Sequence, residues 1–301
     1  MNAFGQLMSE NSTLRTLLMA WTSDQVPLRV EIAAGTGALP VLLSVPHSGR
    51  DYSDALVGQA RLGKASLERL EDPLVDLLVR GAIDRGIGAV IARAPRALID
   101  CNRGEDDLDP RGVAGRSEAP VSERARSGLG LIPARLAGIG ALWRGPIDEA
   151  GLEQRLAIHR GYHAALAEAL AKLSAAWPQV VLIDCHSMPP RAAGQAQIVI
   201  GDRHGTSARS SVSAMAMGIA SSMGFAVAHN APFAGGHVVA RHGRPEGGIS
   251  AIQVEVDRGL YCGRDLRSPG HGFDRVAMLF ERLASEIGGA LAARETPQAA
   301  E

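Results

Sequence analysis

Val180-Val181-Leu182-Ile183-Asp184-Cys185-His186-Ser187 passes from apolar to polar and reactive within eight residues. A short apolar run that ends this way reads as a buried parallel strand delivering function at its C-terminal end. Leu98-Ile99-Asp100-Cys101-Asn102-Arg103 echoes it almost letter for letter. Val41-Leu42-Leu43-Ser44-Val45-Pro46-His47-Ser48-Gly49 has the same design. The echo reads as convergence on a buried strand, not as duplication. Three strand ends therefore present His47, Asn102-Arg103 and His186. Two imidazoles and a guanidinium at one sheet edge point to a metal site beside an anion site.

Outward from these runs, strands are predicted at Leu28–Ala33, Ala89–Ala92, Ala97–Cys101, Gln197–Ile200, Ala226–His229 and Ile252–Val256. Helical periodicity covers Leu67–Arg85, Leu152–Ala176, Thr206–Met223 and Phe273–Ala292. Alternating strands and helices imply an α/β fold with a mostly parallel mixed sheet covered on both faces. Residues 1–25 read as a weak helix and a tail, and residues 26–295 as a single domain. Glu105–Asp148, rich in Gly, Pro, Arg and Ser, reads as an excursion over the active-site edge. Ala231–Gly248, with its paired glycines, reads as a mobile loop or lid.

The chain has 301 residues, of which 46% are hydrophobic and 21% charged, enough for a large core. A net charge of -1 and 4% aromatics give no field and no stacking platform for nucleic acid. No apolar run is long enough for a bilayer, and the N-terminus makes a poor signal peptide. Three cysteines without CxxC spacing fit a reduced, cytoplasmic protein.

His47 and His186 suit a metal, and Asp184, two residues before His186, lies on the same strand face as its orienting partner. A catalytic metal normally takes three protein ligands, so a carboxylate is needed. Glu71, Asp72 and Asp76 are the candidates, although Asp72-Pro73 is also a good helix start. His159 and His163 form an i, i+4 pair, but Arg160 stands where a metalloprotease helix needs Glu, so the pair reads as structural or as rim. Arg103 offers a planar fork for a carboxylate, and Arg96 lies just upstream. Glu255, inside an apolar strand, is the best general-base candidate. Its alternation with Val254 and Val256 leaves a solvent-facing role open. No nucleophile elbow and no phosphate-binding glycine loop occur.

With these residues in hand, the chain resembles the N-formylglutamate amidohydrolases. The likeness rests on PHSG (Pro46–Gly49), EDPLVD (Glu71–Asp76), PRALIDCNR (Pro95–Arg103), GLGLIP (Gly128–Pro133), YHAAL (Tyr162–Leu166), DCHSMP (Asp184–Pro189), GDRHGTSA (Gly201–Ala208) and the long segment Asn230–Tyr261. The resemblance extends to zinc carboxypeptidases and aspartoacylase and implies a three-layer α/β/α, phosphorylase/hydrolase-like fold. It implies His47, Asp72 and His186 as ligands of Zn²⁺, favoured over other divalent ions. It implies Glu255 as the base and Arg96 as the group polarising the scissile carbonyl. Asn102, Arg103, His237 and Arg241 would bind substrate.

Two departures stand out. Arg50 occupies the position where carboxypeptidases carry their ligand Glu, which is why Asp72 is chosen. His237 replaces a tyrosine found in many relatives. The implied reaction is hydrolysis of N-formyl-L-glutamate to formate and L-glutamate. Deacylation of another N-acyl amino acid is the alternative, and a non-catalytic carboxylate-binding homologue is disfavoured by the retained histidines and Glu255. The implied partner is a small anionic N-acyl amino acid, with the chain a monomer or small homo-oligomer.

Overall fold

The computed structural model describes residues 14–19, 28–33, 35–116 and 122–295. Ten strands follow in chain order. They are β1 (Leu14–Met19), β2 (Leu28–Ala33), β3 (Val41–Val45), β4 (Gly88–Ala92), β5 (Arg135–Leu136), β6 (Gly140–Ala141), β7 (Val180–Met188), β8 (Ile198–Gly201), β9 (Val227–His229) and β10 (Ile249–Asp257). β5 and β6 form a small hairpin, and the other eight make one sheet in the order β1-β2-β4-β3-β7-β10-β8-β9. The centre, β4-β3-β7-β10, is parallel. β2 runs antiparallel to β4, and β8 runs antiparallel to β10.

Period-two alternation sorts the central strands onto two cores. Val41, Leu43, Val45, Val181, Ile183, Ile252, Val254 and Val256 pack with the C-terminal helix Phe273–Glu295 and the helix Ser210–Ser222. Leu42, Val90, Leu182 and Ala251 face the opposite way, toward Leu156, Tyr162, Leu166 and Leu170 of the 28-residue helix Glu149–Ala176. That helix starts at Asp148, whose side chain accepts from Gly151 N at 2.7 Å. The expected α/β sheet with helices on both faces is therefore present. Its second face also carries Ser44, Asp184, His186, Gln253 and Glu255, all buried. Buried polar groups need partners, and these find one another.

Four local expectations are corrected. The weak N-terminal helix is not helical where it is described, because Leu14–Met19 pairs with β2; residues 1–13 and 20–25 lie outside the described residues. Leu67–Arg85 is not one helix but short turns, Lys64–Leu67, Val75–Leu78 and Arg80–Asp84, with a break at Glu71–Leu74. Glu71 is extended, Pro73 follows, and Leu74 takes the left-handed conformation at φ 64°. Proline and a left-handed residue stop a helix regardless of apolar spacing.

Ala97–Cys101 is buried but turned: Leu98 N donates to Pro95 O at 2.9 Å and Asn102 N to Asp100 Oδ1 at 2.8 Å. A short buried run does not distinguish a strand from a buried turn. Ala231–Gly248 is not all loop: it holds the helix His237–His242, whose Val238 and Val239 are fully buried. Gly236 allows this, since a Cβ there would lie 2.4 Å from the Asn102 side chain. Among the described residues no helix is long and apolar enough to cross a membrane. Cys101, Cys185 and Cys262 are free and buried.

Candidate metal and active site

The break at Glu71–Leu74 has a structural use. Asp72 N donates to the carbonyl of His47 at 3.0 Å, which ties the turn to the end of β3. Asp72 Oδ2 then lies 3.3 Å from His47 Nδ1 and 3.0 Å from His186 Nδ1. The helix-start reading of Asp72 fails for the same reason: Leu74 precedes Val75–Leu78, and the carboxylate faces the histidines.

The far nitrogens of the two rings are held as well. His47 Nε2 lies 2.7 Å from Asp100 Oδ1, and His186 Nε2 lies 2.7 Å from Asp184 Oδ2. Asp184 Oδ1 accepts from Ser44 Oγ at 2.6 Å, and Ser44 Oγ is 2.7 Å from Tyr162 Oη. Arg258 Nη2 donates to Asp72 Oδ1 at 2.9 Å and to Glu71 O at 2.6 Å. Each imidazole is thus clamped on Nε2 by a carboxylate and presents Nδ1 to Asp72, the second partner arrangement usual for metal-ligating histidines.

His47, Asp72 and His186 each bring one ligand atom within 4.8 Å of the other two, and all three are buried. Around them four carboxylates (Asp72, Asp100, Asp184, Glu255) meet three guanidiniums (Arg96, Arg103, Arg258). These carboxylates, with two oriented imidazoles, fit a divalent cation with mixed nitrogen and oxygen ligands.

Glu255 sits opposite His186 in the β10–β7 register, and Gln253 opposite Asp184. Gln253 Nε2 donates to Glu255 Oε1 at 2.8 Å. Glu255 is 8% exposed, which removes the solvent-facing alternative. Burial pushes its carboxyl up, His186 opposes this, and the charge of Asp72 adds to it. For Asp72 itself burial also works against ionisation. Hydrogen bonds from His186 and His47 outweigh it and hold the carboxyl well below the usual range. At His186 burial disfavours the charged ring, but Asp184 more than compensates and raises its pKa.

Arg96 Nε donates to Asp100 Oδ2 at 2.8 Å, and its guanidinium interacts with the charges of Asp72 and Glu255. Asn102 is occupied structurally: its Oδ1 accepts from Val238 N at 2.8 Å and its Nδ2 donates to Gln253 Oε1 at 3.3 Å. Arg103 gives Nε to Leu129 O and Nη1 to Asn102 O, both at 2.9 Å. The full fork expected for a carboxylate is therefore already half used, with Nη2 remaining. Arg241 is exposed on the helix His237–His242.

A sequence profile of the N-formylglutamate amidohydrolases matches residues 39–262. The chain belongs to that family. An N-formylglutamate deformylase of Pseudomonas putida is 30% identical over 238 residues, covering 75% of this chain and 82% of the relative. The N-formylglutamate deformylase of Pseudomonas aeruginosa PAO1 is 27% identical over 235 residues, covering 75% and 83%. The crystal structure of N-formylglutamate amidohydrolase from Ralstonia eutropha JMP134 superposes with a TM-score of 0.80 at 29% identity, covering 87% of this chain and 98% of that one. The family span contains every side chain of the site, from His47 to Arg258.

Sequence reasoning missed Asp100, Arg258, Ser44 and Tyr162. A signal existed for the first. Asp100 holds in one run the place that Asp184 holds in its echo, and both clamp a histidine. Nothing in the pattern marks Arg258, whose reach to Asp72 depends on the bend after β10.

The sequence pair His159 and His163 is joined by His237 and His242. Ring centroids are 4.5 Å apart for His159–His163, 5.1 Å for His163–His237, 5.8 Å for His159–His237 and 5.2 Å for His163–His242. Burial drives the imidazole pKa of His163 down to about 2 and that of His242 to about 4, and lowers those of His159 and His237.

Proposed function

We propose that this chain hydrolyses the formyl amide of N-formyl-L-glutamate, releasing formate and L-glutamate. The single observation that carries the reading is the juxtaposition of His47, Asp72 and His186 with the buried carboxyl of Glu255. Membership of the family and the deformylase relatives support the substrate. His47, Asp72 and His186 would hold a divalent ion, zinc by the character of the imidazole ligands. When bound there, such an ion polarises a carbonyl and lowers the pKa of a coordinated water to about 7.

The protein's own groups do the rest. Glu255, buried and with its pKa raised, accepts the proton of the attacking water and returns it to the leaving amine. Arg96, fixed through Nε by Asp100 and through Nη1 by Leu70 O at 3.4 Å, directs Nη2 at the oxygen that becomes negative as the formyl carbon turns tetrahedral. Arg103 binds a substrate carboxylate through Nη2, and Arg241 adds positive charge at the rim. Asn102 acts by pinning Val238 and Gln253, which holds the pocket wall beside Arg103 and Glu255.

The test is a hydrolysis panel of N-formyl and N-acetyl amino acids, with and without added Zn²⁺. The reading expects N-formyl-L-glutamate to lead and chelation to abolish turnover. Preference for an acetylated substrate would make the chain a deacylase of another N-acyl amino acid. Undiminished turnover after complete metal removal would overturn the metal assignment.

A further inference from the structure

The four-histidine group has features that packing does not require. His159 is fully buried, and its Nδ1 has no hydrogen-bond partner. Nε2 of His237 is likewise buried and unpartnered. An orphaned buried polar atom is costly to leave unpaired, and the cluster holds two of them.

Their tautomers can be worked out. His159 Nε2 lies 2.8 Å from Arg103 O, and His163 Nε2 lies 3.0 Å from Cys101 O. A carbonyl only accepts, so both Nε2 atoms carry the proton and both Nδ1 atoms carry the lone pair. The His159 lone pair meets no donor, and the His163 lone pair lies 2.9 Å from His242 Nε2, which donates to it. Imidazoles whose N–H is pinned by a main-chain carbonyl and whose other nitrogen is left as an acceptor have the preparation of metal ligands. One nitrogen from each of His159, His163 and His237 lies within 4.8 Å of the other two.

The geometry points to a second metal site, built from His159, His163 and His237. It is separate from the ligand set His47, Asp72 and His186 and does not rest on the reading of that set. Three imidazoles select a transition metal such as Zn²⁺, Cu²⁺ or Ni²⁺ over Mg²⁺ or Ca²⁺. The Glu105 carboxylate, 3.9 Å from His159 Nδ1, stands at the edge of the site. Arg241 opposes a cation there, while Glu105, Asp106 and Asp107 favour one. Binding would displace the His242 donor from His163, and His242 becomes the neighbour that ligation frees. His163 and His159 project from one face of Glu149–Ala176 at helical spacing, and His237 opens the helix His237–His242. A metal would therefore staple that short helix, and with it the wall beside Asn102, to the long one.

The experiment uses the full-length protein, stripped by chelator and titrated with Zn²⁺ alone and with Co²⁺ alone. Wild type is expected to take up two equivalents. His237→Ala and His159→Ala should take up one, and His186→Ala should also take up one. The visible Co²⁺ spectra of His237→Ala and His186→Ala should differ, since each retains the other's lost site. His237→Tyr provides a second variant at a half-buried position whose side chain makes no hydrogen bond that folding would miss. If wild type binds one equivalent that His186→Ala keeps and His237→Ala loses, the second site stands and the first assignment falls. If His237→Ala and His237→Tyr bind as much metal as wild type, or if His186→Ala binds none, the proposal is overturned.

Discussion

His186 Nδ1 lies 3.0 Å from Asp72 Oδ2, although 114 residues separate them in sequence. One partner comes from β7, a strand buried along its whole length, and the other from a turn that interrupts an apolar helical pattern. If the pair, with His47, holds the catalytic ion, His47→Ala and His186→Ala each lose one equivalent of metal and nearly all turnover while far-UV circular dichroism is unchanged. Elemental analysis of the purified variants checks this. A variant that keeps its full metal content would remove that histidine from the ligand set.

The carboxylates behind the rings should matter almost as much. Asp100 and Asp184 each sit 2.7 Å from a histidine Nε2. Asp100→Asn and Asp184→Asn are expected to weaken metal affinity roughly 10–100-fold, the usual effect of removing such a partner. Ser44→Ala, which deletes the donor 2.6 Å from Asp184, should weaken it less. Competition with a chromophoric chelator ranks the three. Equal affinity in all of them would make these contacts structural only.

The sheet was legible because period-two patterning survives burial. Val181, Ile183, Val254 and Val256 fill one face of β7 and β10, and polar residues inside such apolar runs are candidates for function, although the alternation alone left a solvent-facing role open for Glu255. His47, His186 and Glu255 stood out for that reason. Asp72 was one of three acidic candidates by pattern and was singled out only by the family resemblance, since its spacing is that of a helix and its position comes from Pro73 and the left-handed Leu74. Ala97–Cys101 misled because hydrophobicity reports burial, and here a turn is buried under the long helix. Arg258 and His242 left no local trace. Their roles depend on a bend and on contacts to elements far away in sequence.

Arg103 tests substrate charge. With Nε and Nη1 committed to Leu129 O and Asn102 O, one amino group remains for a ligand. Arg103→Lys keeps a charge but loses both anchors, so KM for N-formyl-L-glutamate should rise at least tenfold, with a smaller fall in kcat. Steady-state kinetics on the acid and on its amide separate the two effects. If wild type cleaves the amide as readily as the acid, Arg103 does not recognise a carboxylate.

Asp202 gives a pH signature away from the candidate metal site. Burial opposes its charge, but donors from Ser213, Asn230, Gly205 N and His229 outweigh burial and bring its pKa to about 2. A carboxyl depressed in the fold adds stability above its unfolded value of about 4. That contribution disappears as pH falls toward about 2. Asp202→Asn should cost about 1 kcal/mol at pH 7, discounted for solvent screening. The gap from wild type should close with acid, as read by urea midpoints across pH. A gap independent of pH would show that the hydrogen bonds matter and the charge does not.

Glu255 is the proposed base. It faces His186 across the β10–β7 register, is almost wholly buried, and has its pKa raised by that burial. Glu255→Gln preserves shape and can still hydrogen-bond with Gln253, but it cannot take a proton. The three metal-ligand side chains are untouched, so metal content should stay at the wild-type level. Arg103, the proposed carboxylate partner, is also untouched, so KM should change little. General acid–base catalysis contributes roughly 10²–10⁴-fold, and kcat should fall by about that much. Glu255→Asp, which keeps the carboxyl but draws it back, should recover part of the rate, which a purely structural role would not produce. A Glu255→Gln enzyme with near-normal kcat and full metal would instead send the search for the base to the other carboxyl groups around His47 and His186.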